Sequence, residues 1–270
     1  MRKIFIDGGA HRGQSAEVFM NRWPGAEEYE IYSFEAGTNV ALWDELSKVM
    51  EKYPNMSMFQ SALWIKNEDI VFYDEGNSSS SLIQAKLARS PGHEVKKVVI
   101  EAIDLGGWLD ACFDDDDEII VKLNVEGAEY EILEQMLDRD QLKKVNTLFV
   151  DLHGSKCGKT FEETVALMDR LRDAGHIMYA WSADENFDYE TFKETEITKE
   201  FMKKKYAEWS ERGYDELIRH RELLHGLSHS NPEWQESMKQ QFTPKIRAEA
   251  RADARGIPRR TQRRDNDDNL

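Results

Sequence analysis

The chain has 270 residues, of which 40% are hydrophobic and 33% charged, so it can bury one sizeable core and carry additional polar mass. Its 52 acidic and 36 basic side chains give a net charge of -16, which repels phosphates and argues against a general affinity for nucleic acids or anionic membranes, although it leaves room for local basic patches. Two cysteines are too few for a disulfide framework. No apolar stretch approaches the roughly 20 residues of a membrane span. The first predicted strand begins almost at Met1, which leaves no room for a signal peptide. These features predict a cytoplasmic protein with reduced cysteines.

The first predicted element is a short buried strand that leads into a glycine loop. Residues 4–6 are apolar, and residues 7–13 read DGGAHRG. Gly9 and Gly13 allow a tight turn and close approach to a ligand, and the helix that follows offers unpaired backbone N–H groups. A second apolar strand ends in Glu35, about 20 residues further on, where a carboxylate can accept hydrogen bonds from two ribose hydroxyls. The pattern predicts a nucleotide-like cofactor.

The spacing of Asp7, Gly9 and Gly13 differs from the Gly-x-Gly-x-x-Gly that nicotinamide dinucleotides favour. An acidic residue at the end of the first strand would repel a pyrophosphate and suits a cofactor with a cationic amino-acid end. A nicotinamide-dependent dehydrogenase is therefore the disfavoured rival enzyme. The simplest alternative is that the loop is an ordinary turn and that Glu35 is a solvated strand end.

Strand and helix patterns alternate through the first two thirds of the chain, which predicts an α/β fold with a doubly wound, mostly parallel sheet. Helical periodicity predicts helices over residues 15–23, 39–53 and 161–174, with shorter helices after Asp104 and Glu129. Further strands are predicted over residues 56–63, 118–123, 147–152 and 177–181. The region 67–103 interrupts the alternation and predicts a small antiparallel excursion beside the sheet.

The composition changes after residue 187. Residues 188–243 are charged and favour helix, which predicts a helical appendage to a main domain of residues 1–187. Residues 244–270 contain few apolar side chains and predict a disordered tail. His225 and His229 have helical spacing, but without a third ligand nearby they indicate a solvated helix face, so no metal site is predicted.

Polar residues follow several of the predicted parallel strands. Because ligands bind beyond the carboxyl ends of such strands, these residues are expected to converge on one crevice. They are Asp7, Glu35, Ser61 with Ala62, Asn124 with Glu126, and Asp151 with His153.

Four segments give the chain a specific resemblance to FkbM-type S-adenosylmethionine-dependent methyltransferases. They are FIDGGAHRGQS (5–15), YSFEA (32–36), SAL (61–63) and IVKLNVEGAEYEIL (120–133). The resemblance covers roughly the first 180 residues and implies a Rossmann-like, class I methyltransferase fold. The chain departs from the family pattern at Asn124, where aspartate is usual, and at Asp151, where glutamate is common. An amide can donate and accept hydrogen bonds but does not act as a base.

The resemblance implies transfer of a methyl group from S-adenosylmethionine to a hydroxyl of a sugar, glycan or natural product. The cofactor-binding residues it implies are Asp7, Gly9, Ala10, His11, Gly13, Glu35, Ala36, Ser61, Ala62 and Asn124. Loss of the hydroxyl proton benefits from a positioned base, for which His153 is the first candidate. Asp151 or Glu126 would orient His153 or replace it, and Lys122 would pair with one of these acids or stabilise an alkoxide. Asn124 completes the predicted catalytic set.

Each of these residues also has a structural interpretation. His153 is alternatively a strand-end histidine satisfied by backbone, Lys122 a strand residue that extends to solvent, and Glu126 and Glu129 favourable charges at a helix N-terminus. For the whole protein, the alternative is a non-catalytic binding or assembly module that keeps the methyltransferase fold, and Asn124 is the feature that favours it.

Overall fold

A computed structural model describes residues 1–74, 80–82, 96–181 and 187–213. Its first strand, β1 (Lys3–Gly8), is followed by α1 (Gln14–Arg22), β2 (Tyr29–Glu35), α2 (Val40–Lys52), β3 (Met56–Gln60), β4 (Ala62–Trp64) and β5 (Glu68–Asp74). The chain continues with β6 (Lys96–Asp104), α3 (Leu105–Cys112), β7 (Glu118–Leu123), α4 (Glu129–Asp138) and β8 (Val145–Val150). The last elements are α5 (Phe161–Asp173), β9 (Met178–Tyr179) and α6 (Lys199–Glu211).

Six strands form one parallel sheet in the order β3-β2-β1-β7-β8-β9. Phe5, Ile31, Ile120 and Phe149 belong to the core on one face, where α1 and α2 pack. Ile4, Ile6, Val121 and Leu148 belong to the core on the other face, with α3, α4 and α5. The strands are therefore apolar on both faces, as expected for a doubly wound sheet, and this prediction is confirmed.

A second sheet of three strands has the order β4-β6-β5, with β5 and β6 antiparallel. The predicted antiparallel excursion is thus present, although residues 75–79 and 83–95 lie outside the described part. The prediction of one strand over residues 56–63 is wrong. The chain bends at Ser61, so that β3 belongs to the large sheet while β4 pairs with β6 in the small one.

The last described helix packs on the sheet domain. In α6, Met202 and Trp209 are buried, and the Tyr206 hydroxyl hydrogen bonds with the Lys159 carbonyl at 2.9 Å and the Thr164 hydroxyl at 2.7 Å. The rest of the predicted appendage and the predicted tail, residues 214–270, lie outside the described part, as do His225 and His229. No described helix is long and apolar enough to cross a membrane.

Candidate functional site

The glycine loop lies at the carboxyl end of β1, against the residues that follow β7. Gly9 has a φ of 74°, and a Cβ atom at this position would clash with the backbone carbonyl of Asn124. The Gly9 and Ala10 amides both donate to the Phe34 carbonyl, at 2.9 and 3.0 Å. Glycine at position 9 therefore lets the loop after β1 approach the segment after β7 closely.

Lys122 and Asp7 form a buried ion pair beneath this loop. Their side chains are 2% and 0% exposed, and Lys122 Nζ lies 2.9 Å from Asp7 Oδ1. The same ammonium donates to the Gly8 and Gly9 carbonyls at 3.0 and 2.9 Å. Since an ammonium has three hydrogens, these three acceptors engage all of its donors and tie β7 to the glycine loop.

Glu35 extends from the end of β2 toward the loop. One carboxylate oxygen accepts a hydrogen bond from the His11 amide at 2.7 Å, and the other accepts from the Gly37 amide at 2.6 Å. The two amides fix the orientation of the carboxylate. Each oxygen retains a second lone pair with which to accept a hydrogen bond from a ligand.

A cavity of about 280 Å³ opens between these segments. The structure brings most of the predicted site residues to its wall, namely Gly9, Ala10, His11, Glu35, Ala36, Ser61, Ala62, Lys122, Asn124 and Glu126. Four predicted residues lie outside the wall: Asp7 is buried beneath it, Gly13 caps α1, and Asp151 and His153 lie behind Glu126. The Oδ1 atom of Asn124 is buried and has no hydrogen-bond partner among the described residues.

His153 is held between two carboxylates. Its Nδ1 atom lies 3.1 Å from Glu129 Oε1, and its Nε2 atom lies 3.1 Å from Glu126 Oε2 and 3.8 Å from Asp151 Oδ2. An ionised carboxylate only accepts hydrogen bonds, so a proton on Nδ1 can be donated to Glu129 and a proton on Nε2 can be donated to Glu126. Of the two acids predicted to act with His153, Glu126 lies at hydrogen-bond distance and Asp151 lies further away.

Glu129 is the buried carboxylate that holds the cluster of His153, Glu126 and Asp151 in place. It is 0% exposed, and besides its contact with His153 it accepts hydrogen bonds from the Val125 and Gly127 amides, both at 2.8 Å. These bonds close the turn between β7 and α4 around a buried carboxylate. Sequence reasoning treated Glu129 as an ordinary helix N-terminal charge and missed this role.

Glu126 lies at the apex of that turn with a φ of 57°, a left-handed conformation that is uncommon for a residue with a side chain. Its carbonyl accepts a hydrogen bond from the Ser81 hydroxyl at 2.6 Å. Ser81 in turn exchanges two backbone hydrogen bonds with Tyr73 of β5. Through Ser81, the small sheet thus holds the turn after β7 that presents the Glu126 carboxylate to the cavity. A side chain held in an uncommon backbone conformation is typical of functional sites.

Several wall residues were not predicted. Gln14, Ser15 and Ser80 contribute polar atoms, and Phe34, Phe72 and Leu82 contribute apolar surface. Phe72 and Leu82 come from the small sheet and the segment beside it, whose position over the strand ends is a tertiary feature. Gln14 and Ser15 begin α1. Because they directly follow the glycine loop, their position in the sequence could have predicted that they line the cavity.

A mostly parallel sheet flanked by helices, with a glycine loop after β1 and a carboxylate at the end of β2, is consistent with a Rossmann-like methyltransferase fold. In agreement, a family model described as the methyltransferase FkbM domain matches residues 7–178, from within β1 to the first residue of β9. The chain therefore belongs to the FkbM methyltransferase family. No curated protein and no solved structure matches it.

Proposed function

We propose that this protein transfers a methyl group from S-adenosylmethionine to a hydroxyl oxygen of a small molecule or glycan. The observation that carries the proposal is the cavity at the carboxyl ends of β1, β2 and β7, whose wall includes both Glu126 and the Glu35 carboxylate that accepts from the glycine loop. The family membership supports the chemistry, and the geometry of the cavity supports the residue roles that we propose.

The residues of the cavity fit S-adenosylmethionine. Glu35 would accept hydrogen bonds from the ribose hydroxyls, with its orientation fixed by the His11 and Gly37 amides. Asn124 Oδ1, a buried acceptor with no partner in the described part of the chain, would take a hydrogen bond from the amino group. Asp7 is neutralised by Lys122, so we assign this pair to holding the loop rather than to contacting the cofactor.

When bound, S-adenosylmethionine supplies a methyl group on a positively charged sulfur, which keeps the electron pair of the broken carbon–sulfur bond. The acceptor oxygen forms the new bond to carbon and must lose its proton. Most of the rate gain in such a displacement comes from holding the two reacting atoms close and aligned. The protein's remaining task is to accept the proton.

The cluster after β7 and β8 provides that acceptor. Glu126 is the carboxylate of the cluster that lines the cavity, and we assign it to receive the hydroxyl proton. His153, 3.1 Å behind it and 3% exposed, takes the proton onward on Nε2 when its imidazole is neutral. Glu129 then stabilises the resulting imidazolium through Nδ1. The Asn124 amide is not a base and does not accept the proton, so we assign proton acceptance to Glu126.

Isothermal titration calorimetry with S-adenosylmethionine tests the cofactor site. The wild-type protein is expected to bind with a Kd on the order of 1 µM. Glu35→Gln is expected to weaken binding by about tenfold or more, because the ribose hydroxyls lose a charged acceptor. Glu51→Gln, at an exposed position on α2, is the matched control and should bind as the wild type does. Equal affinity for Glu35→Gln and wild type would contradict the assignment of Glu35.

A further inference from the structure

One edge of the small sheet contributes to the cavity wall and contacts both the segment after β2 and the turn after β7. The strand β5 ends at Asp74, and Ser81 exchanges two backbone hydrogen bonds of 3.0 Å with Tyr73 of that strand. The residues of this edge that line the cavity are Phe72, Ser80 and Leu82. We call residues 72–74 and 80–82 the β5 edge.

The first contact of the β5 edge is made by Asp74, whose side chain is buried. Its Oδ2 atom accepts hydrogen bonds from the Thr38 amide at 2.8 Å and from the Thr38 hydroxyl at 2.5 Å, and its Oδ1 atom accepts from the Ser80 hydroxyl at 3.2 Å. Burial of a carboxylate is costly unless hydrogen bonds replace those of water. These bonds therefore fix Thr38 relative to the small sheet.

Thr38 directly follows the residue that orients Glu35. The Gly37 amide donates to Glu35 Oε1 at 2.6 Å, and a planar peptide bond joins Gly37 to Thr38. A displacement of Thr38 would therefore move Gly37 and the carboxylate that it holds. Asp74 thus acts indirectly on the side chain that we assign to the ribose hydroxyls.

The second contact of the β5 edge is made by Ser81, which is 0% exposed. Its hydroxyl donates to the Glu126 carbonyl at 2.6 Å, and Glu126 has the left-handed φ of 57°. Because this conformation is unfavourable for a residue with a side chain, the turn needs contacts that hold it. Ser81 therefore helps to set the direction in which the Glu126 side chain leaves the backbone.

These polar contacts add something that apolar packing does not provide. Phe72 and Leu82 belong to the same apolar core as Ile4 of β1, and this packing already joins the two sheets. Apolar packing is non-directional, whereas a hydrogen bond sets both a distance and an angle. The hydrogen bonds of Asp74 and Ser81 each act on a segment that carries a carboxylate of the cavity wall.

We propose that Asp74 and Ser81 are positioning residues of the site. Asp74 sets the orientation of Glu35 for the ribose hydroxyls, and Ser81 sets the orientation of Glu126 beside the transferred methyl group. This inference rests on the proposed function, which assigns those tasks to the two carboxylates. One edge of the small sheet then aligns cofactor binding with proton acceptance.

Calorimetry with S-adenosylmethionine and S-adenosylhomocysteine tests the role of Asp74, because both ligands carry the ribose. Asp74→Ala is expected to weaken the binding of both by about fivefold, and Thr38→Val, which removes only the hydroxyl donor, by about twofold. If Asp74 acts through Glu35, neither substitution should weaken binding further when it is added to Glu35→Gln. Thr38→Val keeps the test decisive if Asp74→Ala does not fold.

The same two ligands test the role of Ser81, because only S-adenosylmethionine carries the positive charge on sulfur. Glu126→Gln is expected to raise the ratio of the Kd for S-adenosylmethionine to the Kd for S-adenosylhomocysteine by about threefold, since a negative charge near the sulfonium is lost. Ser81→Ala should raise this ratio in the same direction by about twofold, because the carboxylate is displaced. Added to Glu126→Gln, Ser81→Ala should change the ratio no further.

Two matched controls should bind both ligands as the wild type does. Glu101→Ala removes a carboxylate from an exposed position of β6 in the same small sheet, and Ser47→Ala removes a hydroxyl from α2. Additive losses in the double variants, or wild-type binding by Thr38→Val and Ser81→Ala, would overturn the positioning roles alone. A wild-type protein that binds neither ligand would instead contradict the proposed function, and the positioning roles with it.

Discussion

At the scale of single residues, the ion pair between Lys122 and Asp7 ties β7 to the glycine loop. Both side chains are buried, and Lys122 also holds the Gly8 and Gly9 carbonyls. A buried pair adds little net stability compared with apolar residues, but removal of one partner leaves the other charge uncompensated. The pair therefore couples the stability of the fold to the shape of the glycine loop.

Lys122→Met is expected to lower the free energy of unfolding by about 3–5 kcal/mol, because the Asp7 carboxylate would remain buried without its counter-ion. The double variant Asp7→Asn with Lys122→Met removes both charges and should recover part of that loss. Urea denaturation of the wild type, both single variants and the double variant measures the coupling. Additive losses in the double variant would show that the two side chains do not compensate each other.

Residue patterns predicted most of the residues of the cavity wall, but they did not predict that Glu129 supports His153 from inside the protein. Glu35, Asn124 and Glu126 were found because each follows a strand and because the carboxyl ends of parallel strands meet. Glu129 was missed because an acidic residue in the first helical turn is common for reasons unrelated to a site. Its burial, its two amide donors and its contact with His153 arise only when β7 and β8 lie side by side.

At the scale of elements, Asp104 joins two helices. It is the N-cap of α3, the helix predicted after it, and its Oδ1 atom accepts from the Gly107 amide at 3.1 Å. The same carboxylate accepts from Gln135 Nε2 at 3.1 Å and Arg139 Nη1 at 3.0 Å, both on the α4 side. One side chain thus starts one helix and fixes the position of the next.

Asp104→Ala is expected to lower the free energy of unfolding by about 1–2 kcal/mol, since the cap and the link to α4 are lost together. Asp104→Asn retains a side-chain oxygen for the cap but loses the charge and the oxygen that accepts from Arg139, so its loss should be less than half as large. Thermal or urea unfolding of the two variants distinguishes the contributions. Equal losses would mean that the charge toward Arg139, rather than the cap, is the main contribution.

The boundaries that the sequence failed to predict are those set by neighbouring elements. Residues 56–63 contain no glycine or proline, so nothing in the pattern indicates the bend at Ser61 that separates β3 from β4. Similarly, the strand predicted over residues 177–181 is limited to β9, Met178–Tyr179. The Ala180 amide beyond it donates to the Thr195 carbonyl at 2.9 Å, and this partner comes from a later segment with no strand pattern.

At the scale of the whole molecule, α6 connects the C-terminal part of the described chain to the candidate site. Its Tyr206 hydroxyl hydrogen bonds with the Thr160 carbonyl and the Thr164 hydroxyl at the start of α5, and burial raises the pKa of Tyr206 to about 12. Gly154, which directly follows His153, has a φ of 29°, and a Cβ atom there would clash with the rings of Trp209 and Tyr206. The helix therefore packs directly on the backbone that carries the imidazole.

This contact predicts that loss of the Trp209 side chain affects the site as well as the stability. Trp209 is 5% exposed, so Trp209→Ala should lower the free energy of unfolding by about 3–5 kcal/mol. Because the ring covers Gly154, amide hydrogen exchange over residues 154–158 should accelerate more than exchange in β1, measured well below the unfolding transition. Lys203→Ala, at an exposed position on the same helix, should change neither quantity. A lower melting temperature with uniform acceleration would mean that α6 supports the fold as a whole, and that His153 is held in position by Glu129 and Glu126 without it.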